Sequence, residues 1–149
     1  MNPRRAGAAD LDAVVALQHA AYAKNRPILG VEPLPLQVDY ADILGRMEVW
    51  LAEPDGRLDG VLILEPRPDD LLIWSVATDP ALPPSGVGRA LIAWAETRAR
   101  EIGRDVMRLY TGTLLTDRIA WYARHGYATE RVEVLPDRSV THMVKRLPA

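Results

Sequence analysis

The stretch from Leu71 to Thr111 constrains this chain more than any other. It reads as an apolar strand (Leu71 to Thr78), a proline-rich loop (Pro80 to Ser85), an amphipathic helix (Val87 to Ile102) closed by Gly103, and a second strand (Asp105 to Thr111). The first strand is apolar on both faces, as suits a strand covered on each side. On the helix, Val87, Leu91, Trp94, Arg98 and Ile102 form one stripe, with Ala90 and Ala95 beside it. Strand, helix, strand at this spacing is a βαβ unit. Its strands are parallel, and the crossover is right-handed.

The flanks extend the pattern. Residues 3–6 read as a short strand. Asp10 reads as an N-cap, with Leu11, Val14, Val15, Gln18, Ala21 and Tyr22 at helical spacing to Lys24. Asn25 to Pro35 reads as a loop and Leu36 to Arg46 as a second helix. Glu48 to Glu53 and Leu58 to Leu64 form a hairpin about Pro54-Asp55-Gly56-Arg57. After Thr111, Thr116 caps a helix from Asp117 to Arg124 that stops at Gly126, and 127–135 pairs with 139–147. The order βααβββαβαββ predicts an α+β (or α/β) domain around one mixed sheet. With 149 residues and no linker or repeat, the expectation is a single domain over 1–149.

Composition removes several function classes. The chain has no cysteine, so thiol catalysis and cysteine–zinc sites are excluded. A net charge of −2 argues against a general nucleic-acid binder. No apolar run approaches the length of a membrane span, and the start Met1 to Gly7 lacks the apolar core of a signal peptide. A cytoplasmic location without membrane contact is the expectation. No His or carboxylate pair has metal-site spacing, so no metal is expected.

The loop before the long helix carries the chemistry. Pro84-Ser85-Gly86-Val87-Gly88-Arg89-Ala90-Leu91 places two glycines at a strand-to-helix junction. There, amides without intrahelical partners and the positive end of the helix dipole favour a phosphate. A dinucleotide fingerprint would need a third glycine where Leu91 stands, and no Gly-Lys-Ser/Thr occurs. The alternative is that the glycines only shape a turn.

With Val76-Ala77-Thr78-Asp79-Pro80 before it, this loop resembles the central strand and pyrophosphate loop of the GNAT superfamily of acetyl-CoA-dependent N-acetyltransferases. Ile119-Ala120-Trp121-Tyr122-Ala123-Arg124-His125-Gly126-Tyr127 resembles that family's penultimate helix. The resemblance implies a mostly antiparallel sheet of six to seven strands, with helices on both faces and splayed parallel strands 71–78 and 105–111. It implies acetyl-CoA as cosubstrate, with pantetheine on the backbone of Val76, Ala77 and Thr78. The pyrophosphate would sit on Ser85, Gly86, Val87, Gly88, Arg89 and Ala90. Arg89 reads equally as a phosphate contact or a solvated helix arginine.

Tyr122, by the same resemblance, is the general acid toward the coenzyme A sulfur; its other reading is a core aromatic. Three features depart from the family pattern. Pro83 replaces the usual Gln or Arg, Trp74 and Ser75 replace a strand carboxylate, and Arg118 replaces an asparagine. No general base is identifiable. His19 lies near the expected pocket, His125 at a helix C-terminus and His142 in a strand.

The acceptor, a small-molecule or peptide amine, is expected between 22–40, Trp74 and 111–118. Tyr22, Trp74, Thr111 and Arg118 are its contacts. Tyr40 could join the aromatic wall, and Glu32 and Asp39 are acidic side chains placed to attract a cation. The alternative function is a coenzyme-A-binding sensor or interaction module without catalysis. A homodimer through a sheet edge or the C-terminal hairpin is compatible with the sequence.

Overall fold

The computed structural model describes residues 2–149; Met1 lies outside them. Seven strands form one sheet: β1 (Arg4–Arg5), β2 (Glu48–Ala52), β3 (Gly60–Pro66), β4 (Leu71–Thr78), β5 (Val106–Gly112), β6 (Ala128–Val134) and β7 (Ser139–Arg146). Their order is β1-β2-β3-β4-β5-β7-β6. Every neighbouring pair is antiparallel except β4 and β5. The helices are α1 (Leu11–Ala23), α2 (Arg26–Leu29), α3 (Tyr40–Arg46), α4 (Val87–Glu101) and α5 (Thr116–Arg124). Among the described residues, no helix is long and apolar enough to cross a membrane.

Period-two alternation in β2 and β3 sorts the core into two layers. Val49, Leu51, Val61 and Ile63 meet Val14 and Leu17 of α1 and Ile43 of α3. Leu62 and Leu64, on the opposite face, meet Leu91, Ala95 and Ala99 of α4. Small residues on α4 let the helix lie close to the sheet. The sheet is therefore covered on both faces, which is why β3 and most of β4 read as unbroken apolar runs.

Local boundaries differ from the sequence reading where capping was misjudged. The third helix begins at Tyr40 rather than Leu36, because the Asp39 carboxylate accepts from Ala41 N–H at 2.9 Å and fixes the N-terminus there. Asp10 stands at the N-cap of α1 as expected, but its side chain makes no capping bond there. Its carboxylate accepts from Gly7 N–H and from Arg4, tying a 3-10 turn to β1. Thr116 lies inside α5, whose N-cap is Leu115. Arg26–Leu29, read as loop, makes one helical turn closed by Gly30.

Two features of β4 position the site. Its register runs from Ile63↔Ser75 to Leu64↔Ile73, so Trp74 is an extra residue. Such a bulge breaks side-chain alternation and sharpens twist. Leu71, Ile73 and Val76 pack toward α4, while Trp74 and Ser75 both turn toward α1. The parallel pairing of β4 with β5 spans Leu71↔Met107 to Ile73↔Leu109 and ends at the bulge. At the closed end, the buried Asp70 carboxylate takes two bonds from Arg67 (2.6 and 2.8 Å) and one from Arg108 of β5 (2.9 Å). The two strands are thus clamped at one end and splayed at the other.

Candidate functional site

Beyond Ile73 and Leu109, β4 and β5 have no ladder bonds to each other. Val76 pairs with Leu62 on the β3 side, and its carbonyl is reached from the opposite side by Arg118. The N–H and C=O of one strand residue point the same way, so Val76 presents both to the gap. Alternation turns the backbone of Ala77 to β3, so within 76–78 it is Val76 that faces the gap with both groups.

A cavity of about 80 Å³ opens at this gap. Tyr22, Trp74, Thr111, Arg118 and Tyr122 line it together. Leu29, Pro33, Leu34 and Pro35 roof it, and Ile73, Leu115 and Val140 complete its apolar wall. The roof is tied down at both ends. The Tyr40 hydroxyl donates to the Pro35 carbonyl at 2.6 Å, and Arg138, from the β6–β7 turn, donates to the Glu32 carbonyl at 2.8 Å. Arg138 had no signal in the sequence, because a turn residue gives no hint of a partner this far away along the chain.

Arg118 and Tyr122 lie one turn apart on α5. Arg118 Nη2 donates to the Tyr122 hydroxyl at 3.0 Å and to the Val76 carbonyl at 3.0 Å. Its guanidinium lies 5.2 Å from the ring centres of both Trp121 and Tyr122. Two bonds and two rings fix the group in place. The adjacent Tyr122 pushes the proton affinity of Arg118 up, against the opposing effect of burial, so it is a permanent cation. The Tyr122 phenol oxygen already accepts from Arg118, which leaves its own proton to be donated elsewhere.

Below Trp74 lies a polar network that sequence reading missed. Gln18, fully buried, donates to the Tyr40 hydroxyl (3.1 Å) and to Ser75 Oγ (3.0 Å), and Ser75 Oγ meets the Tyr22 hydroxyl at 2.7 Å. Burial pushes the Tyr22 phenol up, only partly offset by Arg118. These groups satisfy one another and hold Tyr22 against the cavity. None is an acid or base near neutrality.

The loop before α4 has the geometry of an anion site. Gly86 adopts φ +82°, the left-handed region, with open space where a Cβ would point. Ala90 N–H donates to the Gly86 carbonyl at 3.0 Å, closing the first turn. The N–H groups of Val87, Gly88 and Arg89 precede that bond and are free to face a ligand. Ser85 and Arg89 are exposed, while the Val87 side chain is buried and offers only backbone. Gly88 also serves packing. A Cβ there would lie 3.3 Å from Trp121, so glycine lets α5 pack closely against the start of α4.

The other acceptor-side candidates lie away from the cavity lining. Glu32 bonds Arg26 at 2.6 Å and Asp39 caps α3, so neither faces the cavity. Tyr40 is a core residue. His19 is exposed beside Tyr40, His125 Nδ1 sits 2.8 Å from the Trp121 carbonyl at the end of α5, and His142 pairs with Glu133. No histidine lines the cavity. Among the described residues, no group of three or more His, Asp or Glu gathers as metal ligands.

The family model described as an acetyltransferase (GNAT) domain matches residues 45–129, more than half of the chain and all of the segment from β2 to α5. The chain belongs to the GNAT acetyltransferase family. Solved structures agree with this GNAT protein over nearly their full length. The ribosomal-protein-S18-alanine N-acetyltransferase from Escherichia coli superposes with a TM-score of 0.80 at 18% identity, covering 100% of this chain and 96% of that one. A GCN5-related N-acetyltransferase from Rhodopseudomonas palustris gives 0.80 at 19% identity over 99% and 97%. The PaiA N-acetyltransferase from Thermoplasma acidophilum, solved in complex with coenzyme A, gives 0.79 at 15% identity over 97% of each chain. At these identities the likeness establishes the fold. Among curated proteins, none matches the sequence.

Proposed function

We propose that this GNAT protein, as one domain over 1–149 in the cytoplasm, transfers the acetyl group of acetyl-CoA to a primary amine by direct attack with both substrates bound. The observation that carries the reading is the β4–β5 gap with Tyr122 buried beside it and free amides at the start of α4. The residues present fit the coenzyme. Val76 offers backbone to an extended amide-bearing arm, and the α4 amides with Arg89 suit a pyrophosphate. Coenzyme A bound to the structural neighbour from Thermoplasma acidophilum supports the same assignment.

Bound acetyl-CoA supplies the activated acetyl group. The Val76 N–H faces the gap and polarises the carbonyl there. Tyr122 gives its proton to the departing sulfur and regains one from solvent. The amine nitrogen bonds to the acetyl carbon, the carbon–sulfur bond breaks, and the nitrogen releases its proton to water. The cavity lining holds no carboxylate, so desolvation favours a neutral amine and no base is required within the chain. Thiol release from acetyl-CoA with an amine panel tests the reading. Melting-temperature stabilisation by coenzyme A without any thiol release would establish the non-catalytic coenzyme-binding module instead.

A further inference from the structure

The cavity contains a cation with no counter-charge. Arg118 is partly buried, yet its hydrogen-bond partners are a carbonyl and a phenol, and no acidic side chain is among its charge neighbours. No residue lining the cavity is Asp or Glu. The other lining arginine is already neutralised, since Arg138 bonds the Asp137 carboxylate. A cation in a largely apolar wall gains strongly from an anion that arrives to bond its open N–H groups. Both Arg118 bonds use Nη2, so Nε and Nη1 have no partner in the chain. Neither atom is sealed from solvent. The acetylated arm of the coenzyme is uncharged where it would meet this gap and cannot supply the missing anion.

Resting on the acetyl-transfer reading, we propose that the acceptor is a primary amine bearing a carboxylate close to the reacting nitrogen and an apolar side chain, the chemistry of a free hydrophobic α-amino acid, with Arg118 receiving the carboxylate. Proximity sets the spacing. Arg118 lies 3.0 Å from the Tyr122 hydroxyl, so the anion it binds must be near the nitrogen that attacks beside that hydroxyl. An α-amino acid has that spacing; a carboxylate at the far end of a long amine does not. Leu29, Leu34, Leu115 and Val140 provide an apolar sleeve for the side chain. A polycationic acceptor is disfavoured, because it would bring like charge to Arg118 with no carboxylate to offset it. The chemistry is balanced as above: amino acid and acetyl-CoA give the N-acetyl amino acid and coenzyme A.

The test compares matched acceptors on the intact protein: L-leucine, L-leucinamide and 3-methylbutylamine. We expect kcat/KM for leucine to exceed that of the other two by roughly 30- to 100-fold, as for loss of a charge-assisted partner. Arg118→Gln should bring the ratio of leucine to 3-methylbutylamine close to one, and Arg118→Lys should restore part of it. The ratio cancels any common effect through Tyr122. N-acetyl-L-leucine should raise the melting temperature of the wild type but not of Arg118→Gln, while N-(3-methylbutyl)acetamide should stabilise neither.

Equal turnover of leucine, its amide and the bare amine would overturn the proposal while leaving acetyl transfer intact. An unchanged ratio in Arg118→Gln would also overturn it, and an equal loss for all three acceptors would assign Arg118 to the reaction rather than to the acceptor. If no amine is acetylated, the acetyl-transfer reading fails. In that case, Arg118-dependent stabilisation by N-acetyl-L-leucine supports the anion site, and its absence overturns it.

Discussion

Tyr122 and Arg118 occupy successive turns of α5 and share one hydrogen bond, so each constrains what the other does. With its oxygen accepting from Arg118, Tyr122 is left as a donor. Tyr122→Phe keeps the ring packed against Trp121 and Tyr127 and removes only the hydroxyl. It should lower kcat by about 10²-fold or more while changing the KM for acetyl-CoA little, as measured by steady-state thiol release. Gly86 is constrained by backbone instead. At φ +82°, Gly86→Ala should cost about 1–2 kcal/mol in urea unfolding. It should also weaken stabilisation by coenzyme A, because the amides that follow would be re-aimed. Sequence reading placed Tyr22, Trp74, Thr111 and Arg118 around one cavity, and the structure brings all four there. It did not reveal what Arg118 touches, since the Val76 carbonyl 42 residues away leaves no trace in local pattern.

Among the elements, β4 and β5 form the device on which the site depends. The bulge at Trp74 ends their pairing, and Asp70 with Arg108 secures the paired end. Asp70→Asn removes the charge from a buried carboxylate that holds two arginines. It should destabilise the protein by about 2–3 kcal/mol, roughly 5–10 °C in melting temperature by calorimetry. Glu48, largely buried on β2, plays a similar part by bonding Arg98 of α4 at 2.9 and 3.0 Å. The splay was expected from family likeness; its physical origin was not. Every residue from Leu71 to Val76 except Ser75 is apolar, so an extra residue leaves no break in the pattern. Helix starts were missed for a related reason. Leu36 to Arg46 has helical composition throughout, but the Asp39 carboxylate decides where the first turn closes.

At the scale of the whole molecule, pH acts through these ion pairs. The bonds from Arg67 and Arg108 hold Asp70 below its ordinary 3.8, against burial. For Glu48, burial raises the value, but the bonds from Arg98 and Trp50 outweigh it and hold the carboxyl below its ordinary 4.5. The unfolded chain therefore binds protons first as pH falls. The stability these groups contribute is complete above about pH 5 and is lost as pH drops through 4.5 and 3.8 toward the depressed folded values. Melting temperature should be flat between pH 5 and 7 as far as these groups contribute, then fall steeply, and Asp70→Asn should fall less.

A homodimer through a sheet edge or the C-terminal hairpin is compatible with the sequence, and the β6 edge is one such surface. It is open to solvent, with Val132 and Val134 exposed. Sedimentation equilibrium of the wild type beside Val134→Lys tests whether this edge pairs with a second copy.

Fold class, the βαβ unit and the glycine-bearing turn before α4 were legible along the chain, because periodicity, glycine placement and chain order are local properties. That Arg118 is a cation without a nearby acidic partner in an apolar cavity emerges in the folded molecule alone. Charge compensation depends on which groups lie near one another in space, and no spacing along the chain encodes that.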